Sequence, residues 1–221
     1  LAVPDVVRFQ EAYVRKLVDT VNDLDNVLYE ICNEPGVEAK EWGVYMCKYI
    51  KEYQSAKSQQ HPVGMTAIFD KTQWKQLQAW IARNDLLFNS PYDWISPGGW
   101  TKDPQANEWG RDPPANDGRK VVFLDPDHIW PVAPQRGWIW KCFLRGHQPI
   151  LMDWYDCKPG WPIIPGGISG EEQEAMRKAM GDTRKYANKM DLAALTPRND
   201  LASSQYCLAN PGKEYLVYLP E

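Results

Sequence analysis

Residues 26–36 read Asn-Val-Leu-Tyr-Glu-Ile-Cys-Asn-Glu-Pro-Gly, and they give the strongest indication of the fold class. The run from Asn26 to Cys32 is short and rich in apolar, β-branched and aromatic residues, which predicts a strand. The Asn-Glu-Pro-Gly that follows predicts a loop. Apolar residues recur at helical spacing on both sides, over Val6–Val21 and Val37–Ala56. We therefore expect one strand between two helices, with polar residues where the strand ends.

The same alternation continues along the chain. Further strands are predicted over Pro62–Ile68, Tyr92–Ser96, Lys120–Leu124 and Gln148–Asp153, and helices over Thr72–Arg83, Gly137–Leu144 and Gly170–Met190. Strands separated by single helices imply a parallel sheet with crossover connections, so the predicted class is α/β. Doubly wound sheets and (β/α)8 barrels share this local pattern. Nucleotide-binding versions are disfavoured, because no glycine-rich phosphate-binding motif follows any strand.

Composition excludes several classes of partner. A net charge of -4 and a pI near 5.5 argue against nucleic acid and anionic membranes, and no apolar run approaches the roughly 20 residues of a membrane span. No basic start followed by an apolar stretch is visible, so no signal peptide is predicted. The five cysteines are scattered without a C-x-x-C pair, which gives neither a zinc ribbon nor a disulfide framework. We expect no cofactor, no nucleic acid and no membrane partner.

Polar residues collect where the predicted strands end. In parallel barrels the catalytic groups lie at these carboxyl ends. Any single one could instead cap a helix or solvate a loop, but their recurrence at successive strand ends favours a site. They are Asn33 and Glu34, Thr66, Ser96, then Asp125, Asp127 and His128, and finally Asp153 and Trp154.

One strand end carries a specific resemblance. Leu28-Tyr29-Glu30-Ile31-Cys32-Asn33-Glu34-Pro35 resembles the end of the fourth barrel strand in clan A glycoside hydrolases, where the Glu of an Asn-Glu pair is the acid/base. Segments 125–130, 137–146 and 149–153 are similar to a bacterial group of cellulase-like barrels, although that group has Asp-Thr-Asp-His where this chain has Asp-Pro-Asp-His. Segment 210–220 is similar to the opening of a C-terminal β-sandwich that is often attached to such barrels.

The resemblance implies an architecture as well as an activity. The strand ending at Glu34 would be the fourth and the later ones the fifth to eighth, so residues 1–200 are expected to form a partial (β/α)8 barrel of about five parallel strands. Residues 201–221 would be a C-terminal β segment. Such a sheet exposes two edges, and we expect a homo-oligomer that covers them. The resemblance also implies a secreted or periplasmic protein.

The implied reaction is hydrolysis of β-linked glycans or glycosides. Glu34 would be the acid/base, its pKa raised by partial burial and a neighbouring negative charge, and Asn33 would bind the sugar 2-hydroxyl. Clan A uses a Glu nucleophile that this chain lacks, so Asp125 is the first choice for that role and Asp127 the second. A carboxyl separation of about 5 to 5.5 Å would mean retention and roughly 6.5 to 9.5 Å inversion, and the sequence leaves both open.

Other residues are candidates for binding the carbohydrate. These are His128, Asp153, Trp154, Trp100 and Trp130, with Trp94 as a further aromatic platform, although each could equally be structural. A metal site at the Asp125–His128 segment is disfavoured, because no supporting ligands are evident elsewhere.

Two other functions remain open. One is a carbohydrate-binding or catalytically impaired barrel remnant, because missing strands would remove part of the cleft. The other is an esterase-type hydrolase, which is disfavoured because no G-x-S-x-G is present.

Overall fold

A computed structural model describes residues 1–72, 80–99, 107–129, 136–151 and 170–220. The chain divides into two compact units, Leu1–Ser96 and Pro97–Glu221. The predicted division into residues 1–200 and 201–221 remains a prediction.

Two long helices form one layer of the first unit. They are α1 (Pro4–Val21), which begins with a proline at its first turn, and α2 (Lys40–Gln54), which follows a 3₁₀ turn at Val37–Ala39. Side chains join the helices along their length: the Trp42 indole donates to the Gln10 amide oxygen at 3.0 Å, and the Tyr53 hydroxyl donates to Asp19 at 2.9 Å. These contacts fix α1 beside α2.

A parallel sheet supports the helices of this unit. Its strands are β1 (Tyr29–Glu30), β2 (Val63–Met65) and β5 (Trp94–Ile95), in the order β1-β2-β5. Tyr29 pairs with Val63, and Gly64 pairs with Trp94. Gly64 is required there, because a Cβ atom would lie 2.0 Å from the Trp94 ring. Trp94 is therefore a buried part of the sheet packing, and not an exposed platform for a sugar.

A short antiparallel pair corrects one prediction. β3 (Phe69–Asp70) pairs with β4 (Ile81–Ala82), so the helix predicted over Thr72–Arg83 is wrong at Ile81 and Ala82. Residues 73–79 lie outside the described residues. The chain then forms helix α3 (Asn84–Phe88), which hydrophobic spacing did not indicate because it is barely more than one turn long.

The second unit contains a parallel pair and an antiparallel sheet. β6 (Val121–Leu124) pairs in parallel with β7 (Gln148–Pro149). Strands β8 (Thr196–Pro197), β9 (Cys207–Asn210) and β10 (Glu214–Val217) form an antiparallel sheet in the order β10-β9-β8. The helices are α4 (Glu108–Arg111), α5 (Arg136–Leu144) and α6 (Gly170–Ala187).

A small core joins these elements of the second unit. Buried Phe143 and Leu144 from α5 pack with Tyr206 and Leu208 around β9. The α5 helix presents an almost continuous apolar face, so both it and the antiparallel sheet exclude water from this cluster.

The α/β class is confirmed: among the described residues five strands pair in parallel, three in the first unit and two in the second. Four predicted strands coincide with β1, β2, β5 and β6, and the strand predicted from Gln148 coincides at its start with β7. No helix in the described ranges combines the length and apolarity that crossing a bilayer requires.

Candidate functional site

The Asn33-Glu34-Pro35 turn begins after two residues that follow the carboxyl end of the parallel strand β1. Glu34 has φ of +46°, a left-handed backbone conformation that is disfavoured for any residue with a Cβ atom. The following Pro35 restricts it further, because residues before proline prefer extended conformations. Glu34 is half-buried, Asn33 is exposed and Pro35 is buried. The turn thus holds a glutamate in a costly backbone conformation near the protein surface.

Thr66, the residue after β2, is the centre of the contacts around this turn. Its hydroxyl oxygen accepts the Glu34 backbone N–H at 3.0 Å. The same oxygen lies 3.0 Å from a Glu30 carboxylate oxygen, 3.1 Å from the Cys32 carbonyl and 3.3 Å from the Asn33 side-chain oxygen. Thr66 is only 6% exposed, so water has little access to replace these contacts.

A second group of contacts holds the other side of the turn. The Lys71 ammonium donates to the Glu34 carbonyl at 3.3 Å and lies 4.3 Å above the centre of the Trp80 ring. That ring in turn packs on Phe69, whose backbone N–H donates to the Pro35 carbonyl at 3.0 Å. The turn is therefore bound on both its amide and its carbonyl sides by residues from other segments.

Two charged groups near the turn shift the pKa of the Cys32 thiol. Burial raises the pKa of the Cys32 thiol, the negative charge of Glu30 raises it further, and the positive charge of Lys71 lowers it. One carboxylate and one ammonium are thus close enough to influence the residue just before Asn33. Chemically, the turn offers carboxylate and amide groups that can exchange protons or hydrogen bonds with a polar ligand.

The second unit places Asp125, Asp127 and His128 in one tight turn after β6. The His128 backbone N–H donates to the Asp125 carbonyl at 3.0 Å, and the Asp127 backbone N–H donates to the Asp125 carboxylate at 3.0 Å. Asp followed by Pro126 is a common start of a type I turn, because the carboxylate bonds the backbone two residues on. Asp125 thus has a structural role in this turn, and the catalytic role predicted for it stays a prediction.

His128 is buried at 2% exposure, whereas Asp125 and Asp127 are half-buried. The His128 carbonyl accepts the Gly99 backbone N–H at 2.9 Å, which connects the turn to the start of this unit. These contacts favour a structural role for His128.

The remaining predicted residues divide into two sets. The predicted carbohydrate ligands Asp153, Trp154, Trp100 and Trp130 lie outside the described residues. Ser96 is described and is 2% exposed, a burial that does not suit a nucleophile that must meet a substrate. Glu34 belongs to the first unit and Asp125 and Asp127 to the second, so their pairing stays a prediction. Within the described ranges, no cluster of three or more His, Cys, Asp and Glu side chains is arranged to hold a metal.

The first unit also contains an apolar groove between α1, α2 and β1, with a volume of about 670 Å³. We call it the α1–β1 groove. Its walls are mainly apolar and include Tyr13, Leu17, Val27, Leu28, Trp42 and Met46. Glu30 lines the groove and Glu34 does not, so the groove and the Asn33-Glu34-Pro35 turn are separate features that share Glu30.

Sequence reasoning identified Glu34 and Asn33 but not the residues that hold them. Thr66 was noted only as a polar strand end, and Glu30 and Lys71 were given no role. Glu30 offered no signal, because it is exposed and water can solvate its carboxylate without a polar neighbour. Lys71 offered none, because its contact with Glu34 spans 37 positions of the chain.

Comparison with known proteins gave no match among family models, curated proteins or solved structures.

Proposed function

We propose that this chain is a glycoside hydrolase that acts on β-linked glycans or glycosides, with Glu34 as the acid/base. The proposed framework is a partial (β/α)8 barrel of the clan A type. Glu34 would protonate the glycosidic oxygen as the bond to the leaving group breaks, and the exposed Asn33 would bind the 2-hydroxyl of the sugar.

The conformation of Glu34 is the observation that carries the proposal. A non-glycine residue at positive φ persists only where its surroundings hold it, and such residues concentrate at active sites. Here the residue carries a carboxyl group, follows a parallel strand at its carboxyl end and is half-buried. This combination of position and side chain is what an acid/base in a barrel requires.

The second carboxylate of the reaction is proposed from the sequence. We assign it to Asp125, with Asp127 as the alternative, because both follow strand β6. The Asp125 carboxylate already accepts the Asp127 backbone N–H, which a nucleophile or base could keep as an orienting contact.

The hydrogen bond from the Asp127 N–H to the Asp125 carboxylate also favours a second candidate function. If the Asp125 carboxylate serves only its own turn, the chain would lack a nucleophile and would bind carbohydrate without cleaving it. The two functions make opposite predictions for hydrolysis and the same prediction for binding.

Hydrolysis of aryl β-glycosides by the wild type and by Glu34→Gln tests the proposal. Loss of a general acid typically costs about 10²- to 10⁴-fold in turnover. We expect the loss to be largest for phenyl glycosides and smaller for dinitrophenyl glycosides, because a good leaving group departs without protonation. Glu41→Gln is the matched control, since Glu41 is an exposed glutamate in the first turn of α2.

Each outcome has a distinct meaning. Unchanged turnover in Glu34→Gln would refute Glu34 as the acid/base. Sugar binding by the wild type without hydrolysis of any glycoside would favour the binding function, and hydrolysis of aryl esters alone would favour an esterase.

A further inference from the structure

The backbone of Glu34 is held from both sides by side chains of other segments. Its N–H donates to the Thr66 hydroxyl and its carbonyl accepts the Lys71 ammonium. A backbone bond holds the end of the turn, where the Phe69 N–H donates to the Pro35 carbonyl. At Glu34 itself, side chains of Thr66 and Lys71 bind the peptide groups and add to this backbone contact.

The Thr66 hydroxyl connects Glu34 to the body of β1. A hydroxyl has one proton, so while Thr66 accepts from Glu34 it donates to one of three nearby oxygens. Of these, the Glu30 carboxylate is at the shortest distance, 3.0 Å, and a bond to an ionised acceptor is the strongest type available. The resulting chain runs from the Glu34 N–H through Thr66 to Glu30, and successive bonds in such a chain strengthen one another.

Lys71 acts on the carbonyl side. Its side chain is exposed overall, yet the ammonium is placed over the Trp80 ring, and this contact restricts where a flexible side chain can reach. Phe69 lies beneath Trp80 and bonds the Pro35 carbonyl through its backbone N–H. Lys71 therefore belongs to a packed group and is not a freely moving surface lysine.

We propose that Thr66 and Lys71 are the positioning residues of Glu34, which fix the turn so that its carboxyl group meets the glycosidic oxygen in one orientation. This inference rests on the proposed function for its consequence in catalysis. Misplacement of a catalytic group by about 1 Å can cost on the order of 100-fold in rate, so loss of either contact is expected to lower kcat and to leave KM nearly unchanged.

Thr66→Val tests the first contact, because valine has a similar shape and lacks the hydroxyl. We expect kcat for aryl glycosides to fall roughly 10- to 100-fold with KM within about twofold of the wild-type value. Thr66→Ser restores the hydroxyl and is expected to recover most of the activity. Thr20→Val, an exposed threonine on α1, is the control and is expected to have wild-type kcat.

Lys71→Met tests the second contact and keeps the length of the side chain. We expect a smaller fall in kcat, roughly 3- to 10-fold, because an exposed lysine contact is weaker than a buried one. This variant also covers the case in which Thr66→Val fails to fold. The proposal would be overturned if both single variants, Lys71→Met and Thr66→Val, had the wild-type kcat. It would also be overturned if Thr66→Val did not fold and Lys71→Met had the wild-type kcat.

The amide resonance of Glu34 provides a readout that does not depend on hydrolysis. In the wild type we expect slow hydrogen exchange for this amide, and in Thr66→Val faster exchange and a shifted resonance. If these changes occur while the wild type hydrolyses no glycoside, the proposed function fails and the positioning of Glu34 stands. Fast exchange of the Glu34 amide in the wild type would overturn the positioning itself.

Discussion

The left-handed backbone at Glu34 predicts that a glycine variant at this position is more stable than an alanine variant, which is the reverse of the usual order. At ordinary positions alanine is more stabilising than glycine by roughly 0.5 to 1 kcal/mol, because glycine loses more backbone entropy on folding. At φ of +46° the Cβ atom of alanine costs about 1 to 2 kcal/mol, which glycine avoids. The difference leaves Glu34→Gly more stable than Glu34→Ala by roughly 0.5 to 1 kcal/mol.

Urea unfolding followed by tryptophan fluorescence measures this difference. Both variants lack the carboxyl group, so both are expected to be inactive. Their free energies of unfolding therefore differ only through the backbone conformation of residue 34. Gln205, with φ of +62° in the second unit, is an independent control where glycine should again exceed alanine. The reasoning is refuted if alanine equals or exceeds glycine at residue 34 while the slope of free energy against urea is unchanged.

Three further predictions concern a thiol, a histidine and an exposed surface. Glu30→Gln removes a charge that raises the pKa of Cys32, so iodoacetamide should modify this thiol faster at pH 8, and an unchanged rate by peptide mass mapping would contradict the contact. Burial lowers the pKa of His147 to about 4, whereas an unfolded histidine titrates near 6.5. Between pH 6.5 and pH 4, therefore, only the unfolded chain takes up this proton. The contribution of His147 to the free energy of unfolding is complete above pH 6.5 and falls by roughly 3 kcal/mol as the pH approaches 4. Urea unfolding at pH 7 and 4.5 should show a smaller pH dependence in His147→Gln, and an equal dependence would exclude His147 as its source. Phe9 and Tyr13 on α1 are 78% and 69% exposed, so we expect the chain to self-associate and Phe9→Ser to weaken this in sedimentation velocity; a wild-type monomer at all concentrations would refute it.

The positions of the parallel strands were predictable from the sequence because each is a short apolar run between helical patterns, whereas the antiparallel pair β3 and β4 was not predicted. The lengths of the parallel strands were not predictable, since pairing depends on the neighbour. The strand predicted over Asn26–Cys32 is paired only at Tyr29 and Glu30. Its neighbour begins after Pro62, whose carbonyl accepts the Tyr29 N–H but whose nitrogen has no hydrogen to donate in return. A proline on one strand therefore shortens another strand more than 30 positions away.

The candidate site was predictable to the same extent. The motif around Glu34 is local, so an apolar run followed by Asn-Glu-Pro identified it. The contacts that hold it are not local: Thr66 lies 32 positions further along the chain and Lys71 lies 37. Only the pairing of β1 with β2 brings Thr66 to the turn, and no spacing in the sequence encodes that distance.

A positive φ alone does not indicate a functional residue, and the two non-glycine residues with this conformation in the described ranges show why. The turn at Gln205 is closed locally, by its own N–H donating to the Ala202 carbonyl three residues earlier. The turn at Glu34 is held by Thr66 and Lys71, which come from two other segments. A surface turn needs no distant support, and glycine or asparagine would occupy it at lower cost. Keeping a glutamate there, with side chains from elsewhere committed to its peptide groups, is physically reasonable if the carboxyl group must be held in a fixed place, and this is the requirement that acid/base chemistry imposes.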